Sequence, residues 1–110
     1  MIKRISLVWK RPELSDTEFR RIWLGEHADY ARQLPGVRGY VIDFATEGDD
    51  GPSAVATLFF DSRAALDAAF SVPGLKENLI RTREQFASTV QVMLVDEHIV
   101  VPRTSGEFPE

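Results

Sequence analysis

His27 is the residue in this 110-residue chain best placed to do chemistry. An imidazole is the side chain whose ordinary pKa lies closest to neutral pH, so it can move a proton or polarise a carbonyl. His27 interrupts an otherwise apolar stripe between Trp23 and Tyr30, where a polar ring must find either a hydrogen-bond partner or a ligand. Two readings follow. It is a core histidine bonded to a backbone carbonyl, or it lines a pocket with one ring nitrogen turned to a ligand. Tyr40 is the second candidate. Its hydroxyl needs a partner when buried, and it begins the strand directly after the His27 helix, which can bring both polar tips to one cavity. Trp9, Trp23, Phe59, Phe60 and Phe70 add aromatic area that serves as core or lines a pocket for a flat organic ligand.

The other candidates are weaker. Glu26 points about 100° further round the helix than His27 and reads as a solvated charge at its edge. His98, between Glu97 and Ile99, reads as an exposed position near the end of the last strand. No Ser-His-Asp order, glycine-rich nucleotide turn or metal-ligand spacing occurs, and two histidines make no metal site without carboxylates to join them. With no cysteine, disulfides, thiolate metal sites and cysteine nucleophiles are excluded. We expect no metal and no cofactor.

The elements that must hold these residues are legible in outline. Ile2 to Trp9 reads as a first strand, with Ile5, Leu7 and Trp9 alternating with Arg4, Ser6 and Val8, and Lys10-Arg11-Pro12 closing it. Ser15 and Glu18 form a capping box. In the helix it opens, Phe19, Ile22, Trp23, Glu26, His27, Tyr30 and Leu34 fall on one stripe. Pro35-Gly36 ends that helix, and Val37 to Ala45 forms a second strand with Tyr40, Ile42 and Phe44 on one face and Val41 and Asp43 on the other. The polar Glu47 to Ser53 stretch reads as an exposed hairpin loop with no phosphate-binding logic, and Ala54 to Phe60 as a third strand. Asp61 or Ser62 caps a second helical region through Phe70, which Pro73-Gly74 interrupts before it resumes to about Phe86. Thr89 to Val101 is the last strand, and Pro102 to Glu110 a loose tail or a partner-clasping arm.

The order is βαββαβ, an α+β domain over residues 1–101 with a tail at 102–110. Helices cover one face of the sheet, yet the strands carry apolar residues on both faces, so a second copy of the chain is the expected cover. A formal charge of −4, from 13 basic and 17 acidic residues with the basic ones scattered, argues against a nucleic-acid partner. No segment has the roughly 18 consecutive apolar residues of a membrane span, and no secretory signal pattern opens the chain, so a soluble cytoplasmic protein is expected.

Several of these residues fall in one pattern: Met1-Ile2-Lys3 opening a strand, Leu14-Ser15 at a helix cap, Phe19, Ile22-Trp23, His27-Ala28, and Leu34-Pro35-Gly36 before the strand holding Tyr40. In this the chain resembles the EthD family of the dimeric α/β-barrel, ferredoxin-like superfamily, over nearly its whole length to Val101. The resemblance implies two sheets closed into a barrel between the subunits of a homodimer. It also implies a cleft between helices and sheet in each subunit, with His27 and Tyr40 at the family's pocket positions. On that basis His27 and Tyr40 are the expected catalytic residues, and Ser6, Trp23, Phe59 and Phe70 the expected substrate-binding ones. Related small barrels include methylmuconolactone isomerases, aromatic polyketide cyclases and cofactor-free monooxygenases, so the fold hosts several chemistries.

Two functional readings come out of this. In the first, the chain is a cofactor-free isomerase, cyclase or monooxygenase for a small cyclic or aromatic catabolite, with His27 moving a proton or polarising a carbonyl and Tyr40 orienting the substrate. In the second, it is a non-catalytic ligand-binding or accessory protein of a degradative pathway, for which the same pocket and a single histidine suffice.

Overall fold

In the computed structural model, which describes residues 1–47 and 50–104, alternation along β1 (Ile2–Lys10) turns Arg4, Ser6 and Val8 to one face and Ile5, Leu7 and Trp9 to the other. β1 pairs antiparallel with β3 (Ala54–Phe60) and β4 (Ala87–Asp96), and β3 pairs antiparallel with β2 (Gly39–Phe44). The sheet order is therefore β2-β3-β1-β4, the ferredoxin-like arrangement of an α+β fold. Helices α1 (Asp16–Ile22), α2 (Ala28–Ala31), α3 (Arg63–Ala69) and α4 (Leu75–Arg83) pack on the face that carries Val8, Ala54, Leu58 and Phe60.

Local chemistry sets the helix ends. Ser15 and Glu18 exchange both bonds of the capping box, at 3.1 Å each, so α1 starts where two otherwise orphaned N–H groups are satisfied. Ser62 rather than Asp61 caps α3, through the Ala65 N–H, and Asp61 is instead paired with Arg38. Gly74, at φ +81°, takes the left-handed conformation that starts α4 after Pro73, a turn that an L side chain would oppose.

The core has two halves. One gathers Leu34, Leu58, Phe60, Leu66 and Leu79, the other Val8, Phe19, Trp23, Ala54 and Phe86, and Tyr40 packs against both. In the second half the Trp23 and Phe86 rings stack at 4.7 Å between centroids, with Phe19 and Phe44 meeting Trp23 edge-on. The opposite face of the sheet, with Ile5, Leu7, Trp9, Val41, Val55, Phe59 and Met93, has no helix over it among the described residues. Val41 is 44% and Met93 52% exposed there.

The last strand ends at Asp96, not Val101. Asp96 lies opposite Ile2, the first residue of β1, and beyond it the Glu97 N–H still reaches the Met1 carbonyl at 3.4 Å before the chain leaves the sheet. His98 is accordingly exposed but outside the strand, and Val100 and Val101 are solvent-facing. β2 begins at Gly39 rather than Val37, because the Pro35-Gly36 turn, with Gly36 at φ +77°, keeps Val37 bonded back to the Leu34 carbonyl. α4 stops at Arg83, so Phe86 sits in the turn into β4, which starts two residues earlier than the β-branched run suggests. Gly48 and Asp49 of the expected hairpin loop, and residues 105–110 of the expected tail, lie outside the described residues.

Candidate functional site

The middle of the sheet is where side chains are smallest. Ser6 on β1 and Ala56 on β3 are direct cross-strand neighbours on the helix-covered face. Ala56 and Ser6 leave unfilled a volume that larger residues occupy elsewhere on that face, and a cavity of about 160 Å³ lies over them. Trp23, Phe86, Leu58, Leu79 and Val90 give it apolar walls, and His27, Tyr40, Ser6, Arg4, Lys76 and Arg83 add polar groups to its lining.

His27 reaches this position through a break in its helix. Between α1 and α2 the Trp23–His27 segment makes a wider, π-type turn, with Gly25 at φ −87° and ψ −120° interrupting the helical backbone. Such insertions re-aim the residues that follow them. The His27 ring meets Phe86 edge-on at 5.1 Å, and its Nδ1 lies 2.7 Å from the hydroxyl of Thr82 on α4. Thr82 is completely buried, and its hydroxyl donates to the Asn78 carbonyl at 2.8 Å, so it can only accept from His27. The imidazole is thereby fixed with its proton on Nδ1. Nε2 then carries the lone pair, and the Leu79 backbone is a further hydrogen-bond partner of the ring.

Burial holds the imidazole neutral. Desolvation, then the Arg83 guanidinium and more weakly Arg4, push the His27 pKa down to about 4, with the Leu79 backbone opposing them. The Tyr40 hydroxyl accepts the indole N–H of Trp23 at 2.9 Å and keeps its own proton to donate. Desolvation raises the Tyr40 pKa above its ordinary value, the Trp23 bond offsetting only part of that, so the phenol is a neutral donor.

Of the residues singled out in the sequence, His27, Tyr40, Ser6, Trp23 and Phe70 all line this cavity. Phe59 does not. Leu58 and Phe60 face the helices, so strand alternation sends Phe59 to the open face, where its ring covers Gly39 and takes the Lys3 ammonium at 5.3 Å. Glu26 is exposed and paired with Arg81 at 3.0 Å. Thr82, Arg4, Lys76 and Arg83 are site residues that sequence reasoning missed. The available signal lay in α4, where Lys76, Leu79, Ile80 and Arg83 fall at i, i+3, i+4 and i+7 and all face the cavity. Among the described residues no three His, Asp or Glu side chains converge as metal ligands. Among those same residues no helix is long and apolar enough to cross a membrane.

The family model for the EthD domain matches residues 11–89. No functionally curated protein matches the sequence. Among solved structures, an ethyl tert-butyl ether D (EthD) family protein from Bacillus halodurans superposes with a TM-score of 0.72 at 20% identity, covering 89% of this chain and 99% of that one. SnoaB, a cofactor-independent oxygenase from Streptomyces nogalater, gives 0.65 at 19% identity over 93% of this chain and 97% of its own. A dimeric protein of ferredoxin-like fold from Bacteroides fragilis gives 0.64 at 9% identity, over 87% and 95%. At these identities the likeness is one of fold.

The His27 environment makes stability depend on pH in a defined direction. Its pKa is about 4 in the folded chain against 6.5 as the ordinary value, so between these limits the unfolded chain takes up a proton that the folded chain refuses. The contribution is complete above about pH 6.5 and is lost as pH falls towards 4, by roughly 3 kcal/mol. Urea unfolding at pH 7 and pH 4 should show the wild-type chain losing about that much more stability than His27→Gln, which has no imidazole to charge. Parallel losses in the two proteins would show that His27 titrates alike in both states.

Proposed function

We propose, from the premise that the chain belongs to the EthD family, that it works as a homodimer whose clefts take a small single-ring cyclic or aromatic compound and transform it without a cofactor. His27 is the proton-moving residue and Tyr40 the orienting one, with Ser6, Trp23 and Phe70 forming the substrate-binding surface. One observation carries this reading. A neutral imidazole, locked in one tautomer by Thr82, shares an apolar cavity with a phenol whose proton is free to donate.

Geometry suggests how the two divide the work. The Nε2 lone pair of His27 accepts a proton from an acidic C–H or hydroxyl of the ring, while the Tyr40 O–H donates to the oxygen on which negative charge develops. Isomerisation, cyclisation and oxidation by oxygen all begin with such a step. The size of the cavity favours one ring. A volume of about 160 Å³ is close to that of apolar cavities that take up benzene, which supports lactones, catechols and monocyclic quinones over three-ring anthrones. That SnoaB is a cofactor-independent oxygenase on the same fold supports chemistry of this kind.

The competing reading, a non-catalytic ligand-binding or accessory protein, is favoured by one feature. His27 has no carboxylate partner among the described cavity residues to take up and return a proton.

Homodimerisation is supported by the uncovered apolar sheet face, and by the dimeric state stated for the ferredoxin-like protein from Bacteroides fragilis. Light scattering at micromolar concentration should give twice the chain mass of 12.4 kDa, and a value at the chain mass would remove the inter-subunit barrel. The functional reading is tested by a thermal-shift screen of monocyclic lactones, catechols and quinones, followed by turnover assays on whatever binds. A ligand at 100 times its Kd should add about 2.7 kcal/mol of stability. His27→Ala should keep its stability to within about 1 kcal/mol, because a cavity wall tolerates loss of a ring better than packed core does, and should abolish turnover. A loss of several kcal/mol with binding intact in the folded fraction would make His27 structural, and binding without turnover in the wild-type chain would leave the accessory reading.

A further inference from the structure

Three basic side chains, Arg4, Lys76 and Arg83, line the cleft, and among the described residues no aspartate or glutamate does. They come from two elements on opposite sides of it. Arg4 stands on β1, two residues before Ser6, with its guanidinium 5.0 Å from the centre of the Phe70 ring and NH1 donating to the Ser6 hydroxyl at 3.3 Å. Lys76 and Arg83 stand two helical turns apart on the inward face of α4, Arg83 directly after the Thr82 that holds His27. Elsewhere Arg11, Arg32, Arg38, Arg63 and Arg81 are each bridged to a carboxylate, while Arg20 and Arg21, which form no ion pair among the described residues, are exposed to solvent. Arg4 and Arg83 are both partly buried, yet neither they nor Lys76 has an acidic partner among the described residues.

Partly buried cations without counter-charge are costly to hold, and two that share one apolar cleft also repel each other. Burial first and Arg83 second pull the Arg4 pKa below its ordinary value, so the repulsion is felt at the guanidinium itself. Among the described residues the other titratable groups lining the cavity, His27 and Tyr40, are neutral and offset none of it.

We propose that the ligand of this cleft is an anion, a single-ring compound bearing a carboxylate that closes between Arg4 and Arg83 while its ring lies against Trp23 and Phe86. This rests on the reading of the cavity as a small-ring site and adds the charge that the ligand must carry. Guanidinium forks are suited to a planar carboxylate, which can accept parallel N–H bonds from each. Lys76 lies at the exposed rim and draws anions towards the entrance. The apolar walls then select for a ring, and the bound charge relieves the repulsion that the empty cleft maintains.

Benzoate and benzamide form a suitable pair of probes, alike in size and planarity and different in charge. At pH 7.5, NMR titration of the full-length chain should show benzoate binding at least about tenfold more tightly than benzamide, the scale expected for charge-assisted bonds. That preference should fall below about threefold in the Arg4→Gln, Arg83→Gln double variant and persist in Arg81→Gln, whose guanidinium is on the outer side of α4 with Glu26. Equal binding of the two probes to the wild-type chain overturns the proposal and leaves the small-ring reading standing. A preference that survives the double variant overturns it as well, and failure of both probes to bind overturns it together with the reading it rests on. The wild-type comparison decides without the variants should any of them not fold.

Discussion

The hydrogen bond between His27 Nδ1 and the Thr82 hydroxyl joins the first helical segment to α4 beside the cavity over the sheet. It depends on two backbone features far apart in sequence: the π-type turn at Gly25, which swings His27 off the regular stripe, and the back-bond of Thr82 to Asn78, which leaves the threonine oxygen only able to accept. Without the first the ring is aimed elsewhere. Without the second the tautomer is undetermined. With both, a residue at the end of an aromatic stack is held beside the cavity, and burial first and the neighbouring guanidiniums second keep it uncharged. Tyr40 is fixed by a parallel device, since its oxygen is held by the Trp23 indole and only its proton is left to reach a ligand.

The parts that were legible in the sequence are those set by short-range patterns. The Ser15–Glu18 capping box, the stripe through Phe19 and Trp23, and the even-numbered face of β2 follow from periods of 3.6 and 2, and each has its expected place. What was not legible depends on which partner lies opposite. β1 has apolar residues at Ile5, Leu7 and Trp9, but the helices cover the Arg4, Ser6 and Val8 side, so alternation alone does not say which set meets the core. Phe59 and Phe60 pose the same ambiguity, and register, not hydrophobicity, resolves it. The end of β4 is set by where β1 begins, at the far end of the chain. Thr82, 55 positions from His27, looks like any polar residue of a helix until α4 is docked.

The site combines features that are costly apart and useful together. A small-residue pair in the sheet forgoes packing, and two unpaired guanidiniums beside a desolvated imidazole forgo solvation. Local rules broken together at one place point to function at that place. A fold alone does not decide function, so the proposed chemistry rests on these side chains and not on the architecture.

The central claim is that His27 stands in the cleft as a neutral Nδ1–H imidazole with the lone pair on Nε2. Long-range ¹H–¹⁵N NMR of the histidine rings reads this directly, because protonated and lone-pair nitrogens resonate far apart. At pH 6 the account predicts a single Nδ1–H tautomer for His27, still uncharged, with an Nε2 signal of lone-pair type. A ring already half protonated at that pH, or one carrying its proton on Nε2, would contradict it.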